Sequence, residues 1–446
     1  MRPPHVLYLL AGLALAAPAA EPPPNIVFFL VDDLGYADVG FNGCRDLRTP
    51  RIDRLAREGA ILRAHYVQPV CSPTRAALMT GRYPTRTGVY TVVRPRAMWG
   101  LPLAERTLAD ALKAAGYQTA ITGKWHLGEF QPAYTPTARG FDHQYGHYFG
   151  AIDYFTHRRD GTHDWFRDGR ELPETGYSTE LIAAEACRLI RERDPARPLF
   201  LYVPFNGVHA PLQAPEKYLQ PFTNLAGNRR TLAGMLAAVD AAVGRITDAL
   251  ADAGLRDRTL VVFSSDNGGP NPGRLSSNRP LRAGKGTVYE GGVRACAFAC
   301  WPGRIPAGTT VDEPVHVIDW FPTLLKLAGG PPDQPLPLDG RDIWPVLAHG
   351  ATSPHQAILL ARSPTRAALR MGDWKLVAGP ASPPELYQLS ADPGERNNLA
   401  AREPERTKTM QAALAAMLRD AAPPGEPAAP APRQPPARKR RQPAGS

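Results

Sequence analysis

The sequence predicts an α/β protein with a large mixed, mostly parallel sheet sandwiched by helices. A small C-terminal α+β subdomain with a short antiparallel sheet follows it. Three observations carry this reading. Apolar runs of strand length alternate with helical stretches, the pattern of an α/β sheet. The first run, Asn25–Val31 (NIVFFLV), is continuously apolar after its asparagine, as in a strand buried on both faces. Four such runs end in loops carrying aspartate, asparagine, lysine or histidine, and ligands of open α/β sheets bind beyond the carboxyl ends of strands.

Taken in order, Asn25–Val31 ends in Asp32-Asp33-Leu34-Gly35. Thr49-Pro50 starts a short helix that stops at Gly59, and Thr107 caps another that runs to Gly116. Residues 117–122 form the next strand, ending in Gly123-Lys124-Trp125-His126. Ser178 opens an amphipathic helix to Arg193, and the strand at 199–205 ends in Asn206-Gly207-Val208-His209. A long helix covers residues 229–253, then strand 259–264 leads to Ser265-Asp266-Asn267-Gly268-Gly269. Beyond Gly330 the prolines thicken. A short helix at 343–347, strands at 358–362 and within 365–377, and a helix over 403–421 make the small subdomain. The expected organisation is a signal peptide over 1–20, a catalytic domain over 22–345, the subdomain over 346–422, and a disordered tail over 423–446.

A chain of 446 residues with 43% hydrophobic and 21% charged residues buries a sizeable core and belongs among globular proteins. Its net charge of +10 favours polyanionic partners, but much of the excess sits in the tail at Arg433, Arg438, Lys439, Arg440 and Arg441. No reading helix or aromatic-interleaved basic patch accompanies it, so no nucleic-acid partner is expected. Arg2, the apolar residues 6–17 and Ala17-Pro18-Ala19-Ala20 read as a secretory signal, too short for a stable membrane span. A secreted or periplasmic protein is expected. The five cysteines lack zinc-like spacing and do not make a disulfide scaffold.

Residues 69–81 (PVCSPTRAALMTG) read as a helix start, with Ser72 as the N-cap and Pro73 in the first turn. Cys71 then lies beside the exposed N–H groups of a helix N-terminus, with Arg75 one turn on. Ser363–Leu369 repeats SPTRAAL with Arg362 in place of the cysteine, a coincidence expected to lie within a strand. Asp32, Asp33, Asp266 and Asn267 form an all-oxygen set suited to calcium or magnesium and unlike a zinc site. Lys124 and His126, two apart on an extended loop, face one pocket.

Residues 69–81 resemble the sulfatase signature, C-x-P-x-R followed by apolar residues and T-G. Residues 116–126 (GYQTAITGKWH) are similar to the family's second signature, and VDDLG and SDNGG to its metal motifs. VHAPLQAP around His209 and PLRAGKGTVYEGGVR around Lys285 resemble its remaining sulfate-binding segments. The resemblance spans residues 25–398, and its nearest pattern is that of arylsulfatase B-like N-acetylgalactosamine-4-sulfatases, supported by HAPLQAPEKYL, STELIAAEACRLI and FGAIDYFTH. The shortened C-terminal region and basic tail depart from that pattern.

The resemblance implies an alkaline phosphatase-like fold and hydrolysis of sulfate esters of a carbohydrate such as a glycosaminoglycan. It implies that Cys71 is converted to formylglycine by a formylglycine-generating enzyme. One calcium ion, rather than magnesium, is then held by Asp32, Asp33, Asp266, Asn267 and the modified Cys71. The implied roles are attack on sulfur from position 71, support from Arg75 and Lys124, and proton acceptance by His126. His209 and Lys285 grip the sulfate and help protonate the leaving alcohol. The competing readings are a phosphodiesterase or phosphonate monoester hydrolase of the same superfamily, and a non-catalytic sulfated-glycan binder.

Overall fold

The computed structural model describes residues 22–270, 275–331, 334–380 and 382–425. The expected signal segment and most of the expected tail, residues 426–446, lie outside them. The large sheet is built, in chain order, from β1 (Asn25–Val31), β2 (Ala60–Leu62), β3 (Gln118–Lys124), β4 (His143–His147) and β5 (Phe166–Arg167). β6 (Arg170–Glu171), β7 (Leu199–Pro204), β8 (Thr259–Ser265), β9 (Ala297–Cys300) and β10 (Thr309–Val311) complete it. Across the sheet the order is β10-β2-β9-β8-β1-β7-β3-β4-β5-β6. The central five strands, β8 to β4, are parallel; antiparallel pairs on both flanks make the sheet mixed.

β1 explains its own apolar run. Successive side chains of a strand point to opposite faces. Ile26, Phe28 and Leu30 enter one core with helices Cys71–Thr80, Leu108–Ala114 and Trp320–Leu327. Phe28 meets Trp320 edge-on there, with ring centroids 5.8 Å apart. Val27, Phe29 and Val31 enter the opposite core, with helices Pro50–Arg57, Ser178–Glu192 and Gly227–Asp252. A strand buried on both faces has no place for a polar residue until it leaves the sheet, and β1 leaves it at Asp32.

Most elements lie within a residue or two of their expected bounds. Thr107 accepts from the Asp110 backbone N–H in a reciprocal capping box, as its position predicts. The Cys71 helix is a correction. It begins at Cys71 with Val70 as its N-cap, and Ser72 caps nothing, because its hydroxyl donates to His126 O at 2.9 Å instead. The second SPTRAAL also differs from expectation. Residues 363–366 turn between two strands, with the Arg366 backbone N–H donating to Ser363 Oγ at 2.9 Å, and only Ala367 onward is strand. Ser-Pro favours that turn, and no sheet partner overrides it.

The small sheet is an antiparallel meander of β11 (Ile358–Ala361), β12 (Ala367–Met371), β13 (Trp374–Gly379) and β14 (Ser382–Gln388). Leu369, Leu376 and Leu386 pack with Met410 and Leu414 of the last helix, Pro404–Leu418. Ile358, Leu360, Ala368 and Tyr387 pack with Tyr66, Val288 and Val293 of the main body. Lys375 crosses this second seam fully buried. Its Nζ lies 2.8 Å from Glu290 Oε1 and 2.9 Å from Glu395 Oε1, while Tyr66 donates to Glu290 Oε2 at 2.8 Å. All five cysteines are free thiols. Among the described residues no helix is long and apolar enough to cross a membrane.

Removing one member of a buried ion cluster strands the others without a counter-charge. Lys375→Met is therefore expected to lower unfolding stability by roughly 3–5 kcal/mol in urea titrations. Adding Glu290→Gln to it should recover part of the loss. A single variant as stable as the wild type would show that the cluster does not tie the small sheet down.

Candidate active site

Strand register assembles the site. β1 lies between β7 and β8, with Leu30 opposite Pro204 and Val31 opposite Ser265. The next residues along each strand therefore emerge together. Asp266 N donates to Val31 O at 3.0 Å, Asp32 N to Gly207 O at 2.9 Å, and Val208 N to Asp32 O at 2.7 Å. Those bonds gather Asp32, Asp33, Asp266, Asn267 and His209 at one edge. Asp33 N also donates to Asp266 Oδ1 at 3.2 Å, and Asn267 Nδ2 to Asp33 Oδ1 at 2.8 Å. Asp33 has φ 63° and His126 φ 62°, a left-handed conformation that costs a side-chain-bearing residue about 1–3 kcal/mol.

Cys71 reaches the same edge as the first residue of its helix, almost wholly buried. Ser72 holds it there. Besides its bond to His126 O, its Oγ accepts from Val93 N at 3.0 Å, tying the helix start to the end of the Lys124 strand. Arg75 is turned onto the Asp266 carboxylate. Its Nη2 and Nε donate to Asp266 Oδ2 at 2.8 and 3.2 Å, and its Nη1 to Lys124 O at 2.9 Å.

Two lysines complete the cluster. Lys124, wholly buried, donates to Asp32 Oδ2. Lys285 Nζ stands 2.6 Å from Asp33 Oδ1 and 2.8 Å from its Oδ2. His209 Nε2 lies 3.6 Å from Asp33 Oδ2 and is partly exposed, at the open side. After all of these contacts, Asp32 Oδ1 and Asn267 Oδ1 remain buried with no hydrogen-bond partner. One ligand atom from each of Asp32, Cys71 and Asp266 lies within 4.8 Å of the other two, as does one from each of Asp32, Asp33 and His209. Buried oxygens are ordinarily satisfied, so bare ones among clustered carboxylates fit a hard, oxygen-loving cation.

The electrostatics follow from burial. Desolvation pushes the Asp32 carboxyl up, but Lys124, His209 and Arg75 outweigh it and hold the group below its usual range. Burial and the neighbouring Asp32 push Asp266 up against the pull of Arg75 and Lys124. Burial drives the His126 imidazole well below its ordinary value, with Lys124 and Arg75 adding to the effect. The ring is neutral, and its Nε2 lies 2.9 Å from Val93 O. A carbonyl only accepts, so the proton is assigned to Nε2, and the buried Nδ1 is a bare base with no partner.

His147 joins this group without having been singled out in the sequence. It pairs in register with Lys124 across β3 and β4. Burial, then Lys124 and Arg75, hold its imidazole well below the ordinary value. Its Nδ1 donates to Phe149 O at 3.0 Å, and its buried Nε2 has no partner. Nothing in FDHQYGHYFG marks this histidine, because only the pairing of β3 with β4 brings it beside Lys124.

The family model for sulfatase matches residues 24–330. This chain belongs to the sulfatase family. It is 35% identical to arylsulfatase J of Mus musculus over 467 residues, covering 92% of this chain and 78% of that relative. It is 36% identical to the N-acetylgalactosamine-6-sulfatase of Canis lupus familiaris over 398 residues, covering 83% and 74%. The crystal structure of Ps i-CgsB in complex with k-i-k-neocarrahexaose superposes with a TM-score of 0.85 at 35% identity, covering 90% of this sulfatase and 94% of that chain. The fold expected from the sequence, a mostly parallel helix-covered sheet plus a small antiparallel one, is the fold of these sulfatases.

The assigned tautomer has a spectroscopic consequence. With its imidazole pKa depressed by burial, His126 is expected to be neutral and protonated on Nε2 near neutral pH in ¹⁵N-resolved NMR of the histidine side chains. A cationic His126 ring near neutral pH would overturn the assignment.

Proposed function

We propose that this sulfatase hydrolyses sulfate esters of a sulfated carbohydrate, such as a glycosaminoglycan, with Cys71 converted to formylglycine and one calcium ion bound. The observation that supports it best is the pair of bare buried oxygens, Asp32 Oδ1 and Asn267 Oδ1, beside Cys71 and ringed by Arg75, Lys124, Lys285, His126 and His209. Asp32, Asp33, Asp266, Asn267 and the modified residue 71 would hold the cation, which would supply Lewis-acid stabilisation of negative charge. The hydrated aldehyde at position 71 supplies the nucleophile that an unmodified thiol, buried beside Asp32 and Asp266, does not.

The remaining work falls to the chain's own side chains. A sulfate ester repels an incoming nucleophile because it is itself an anion. Lys124, Lys285 and His209 would offset that repulsion by donating to the sulfuryl oxygens. Arg75 anchors Asp266 and the Lys124 carbonyl, so the carboxylates and the lysine keep their places as charge moves. His126 offers a bare Nδ1 that would accept a proton from a hydroxyl at position 71, and His209, at the open side, would with Lys285 help protonate the departing alcohol. Arylsulfatases, an N-acetylgalactosamine-6-sulfatase and Ps i-CgsB, solved with a carrahexaose, are the relatives that support a sulfated glycan. The signal expected over residues 1–20 supports a secreted or periplasmic protein, one that a formylglycine-generating enzyme would mature.

Co-expression with such an enzyme should make the tryptic peptide of residues 64–75 about 18 Da lighter, together with turnover of an aryl sulfate. Cys71→Ala should remove that turnover. Finding only cysteine under converting conditions, in protein without sulfatase activity, would sink the proposal. Chelation should abolish activity and calcium restore it, and Asp32→Asn should weaken calcium binding at least tenfold by calorimetry, about 1.4 kcal/mol. Calcium binding unchanged in that variant would remove Asp32 from the ligand set.

A further inference from the structure

A cavity of about 510 Å³ opens between residues 286–289 and the first and last hairpins of the small sheet. Its wall is continuous with the reaction centre. Lys285 stands on Asp33, and Gly286, the next residue, donates its N–H to Pro69 O at 2.7 Å, two residues before Cys71. From Gly286 the chain runs along the cavity to Tyr289, which donates to Glu385 at 2.7 Å on the far wall. The volume is that of a small-ligand site, and polar and apolar atoms share its lining.

Its charge is lopsided. Glu385 is the carboxylate on the lining, and it is already engaged by Arg282 at 3.1 Å, Tyr289 and Tyr387. Arg362 and Arg366 lie on the opposite wall, on the turn between β11 and β12. Among the described residues neither has a carboxylate within ion-pair distance. Arg362 makes one long bond, 3.5 Å to Tyr90 O, and the Arg366 side chain packs along Gly379. Two uncompensated guanidinium groups thus face a cavity that begins one residue beyond a sulfate-binding lysine. A guanidinium binds a sulfate or carboxylate through paired N–H donors, and a flexible surface lysine would not fix such a group as well.

We propose that this cavity is a second anion subsite, in which Arg362 and Arg366 take a further anionic substituent of the same glycan whose sulfate ester is cleaved. The proposal rests on the sulfatase reading above and names the class of substrate that reading leaves open: a polyanionic saccharide, not a singly sulfated one. The SPTR turn supplies the arginines. Ser363 and Thr365 shape it, with Arg366 N donating to Ser363 Oγ at 2.9 Å and Arg362 N to Arg366 O at 2.9 Å. That closure holds both guanidinium stems on one turn, so they act on one group.

The test compares sulfated oligosaccharides of equal length that carry, besides the scissile sulfate, a second sulfate, a uronate carboxylate, or neither. The readout is kcat/KM for each divided by kcat/KM for an aryl sulfate. In the converted wild type this ratio should be highest for one of the two doubly charged saccharides, which tells sulfate from carboxylate as the occupant. Arg362→Gln with Arg366→Gln should lower that ratio about tenfold, mostly through KM, and leave the ratio for the saccharide with neither group unchanged. Thr365→Asp, which places a carboxylate on the same wall, should lower it as well and guards against a fold defect in the arginine variants. Calorimetry of the same saccharides with unconverted Cys71 protein reads the subsite without turnover. Wild type with no sulfatase activity but arginine-dependent saccharide binding would sink the catalytic reading and leave the subsite standing. Active wild type with equal ratios for all three saccharides, or ratios indifferent to these substitutions, would overturn the subsite alone.

Discussion

Three buried carboxylates crowd one sheet edge, and the rest of the site depends on what keeps them there. Asp32, Asp33 and Asp266 lie close enough to share hydrogen bonds, where like charges at about 4 Å repel by about 4 kcal/mol at a protein-like dielectric. Arg75 holds Asp266, Lys124 holds Asp32, and Lys285 holds Asp33. Each cation comes from a different element: the Cys71 helix, the end of β3, and the loop that precedes β9. The carboxylates therefore act as the common anchor for three parts of the chain. Arg75, through its bond to the Lys124 carbonyl, couples two of those parts directly. Losing the counter-charges would cost more than one contact, because Asp266 also accepts from the Asp33 backbone N–H and Asp33 from the Asn267 side chain.

The arrangement explains why so much of it was legible in the sequence and where legibility stopped. A strand buried on both faces admits polar residues only after its last pleat. Asp32 after NIVFFLV and Asp266 after TLVVFSS therefore mark sheet-edge positions before any coordinates are known. What the sequence does not carry is which strands are neighbours. Lys124 and His147 pair in register because β3 and β4 are adjacent, and no spacing along the chain encodes that. Ser72 misleads for a related reason. Locally it is a good N-cap, but its hydroxyl finds a carbonyl 54 residues away and the helix starts two residues earlier. Arg75 behaves likewise: the motif places it one turn from Cys71, and the carboxylate that captures it comes from β8. In each case a long-range partner wins over the local preference.

The small sheet is less separate from the chemistry than its sequence position suggests. Residues 282–294 carry Lys285 at one end and Glu290 and Arg294 at the other. Glu290 is held by Lys375 of β13, by Tyr66 and by Arg294, and its N–H donates to Glu395 at 2.6 Å. Arg282, just upstream, bonds Tyr387 at 2.7 Å and Glu395 O at 3.0 Å and stacks on Tyr289. The segment that presents Lys285 to Asp33 is thus clamped before and after by groups from the C-terminal sheet. Buried charge of this kind is a poor source of net stability, since desolvation offsets most of the attraction. It is a good source of position, because a charged group without its partner has no alternative place to go.

That clamp gives the C-terminal sheet two connections to one loop. Through Lys375 and Glu395 it fixes where Lys285 stands, and through the turn at 362–366 it lines the cavity that begins at Gly286. A change in the length or charge of that turn alters the wall of this cavity, which the carboxylate cluster does not line. The reaction centre is fixed by strand register and buried ion pairs and tolerates little change. Among the described residues Arg362 and Arg366 make no ion pair, so a change of charge at either strands no buried partner. The proposed reaction centre and the proposed second subsite thus sit on different parts of the structure, joined by the single residue step from Lys285 to Gly286.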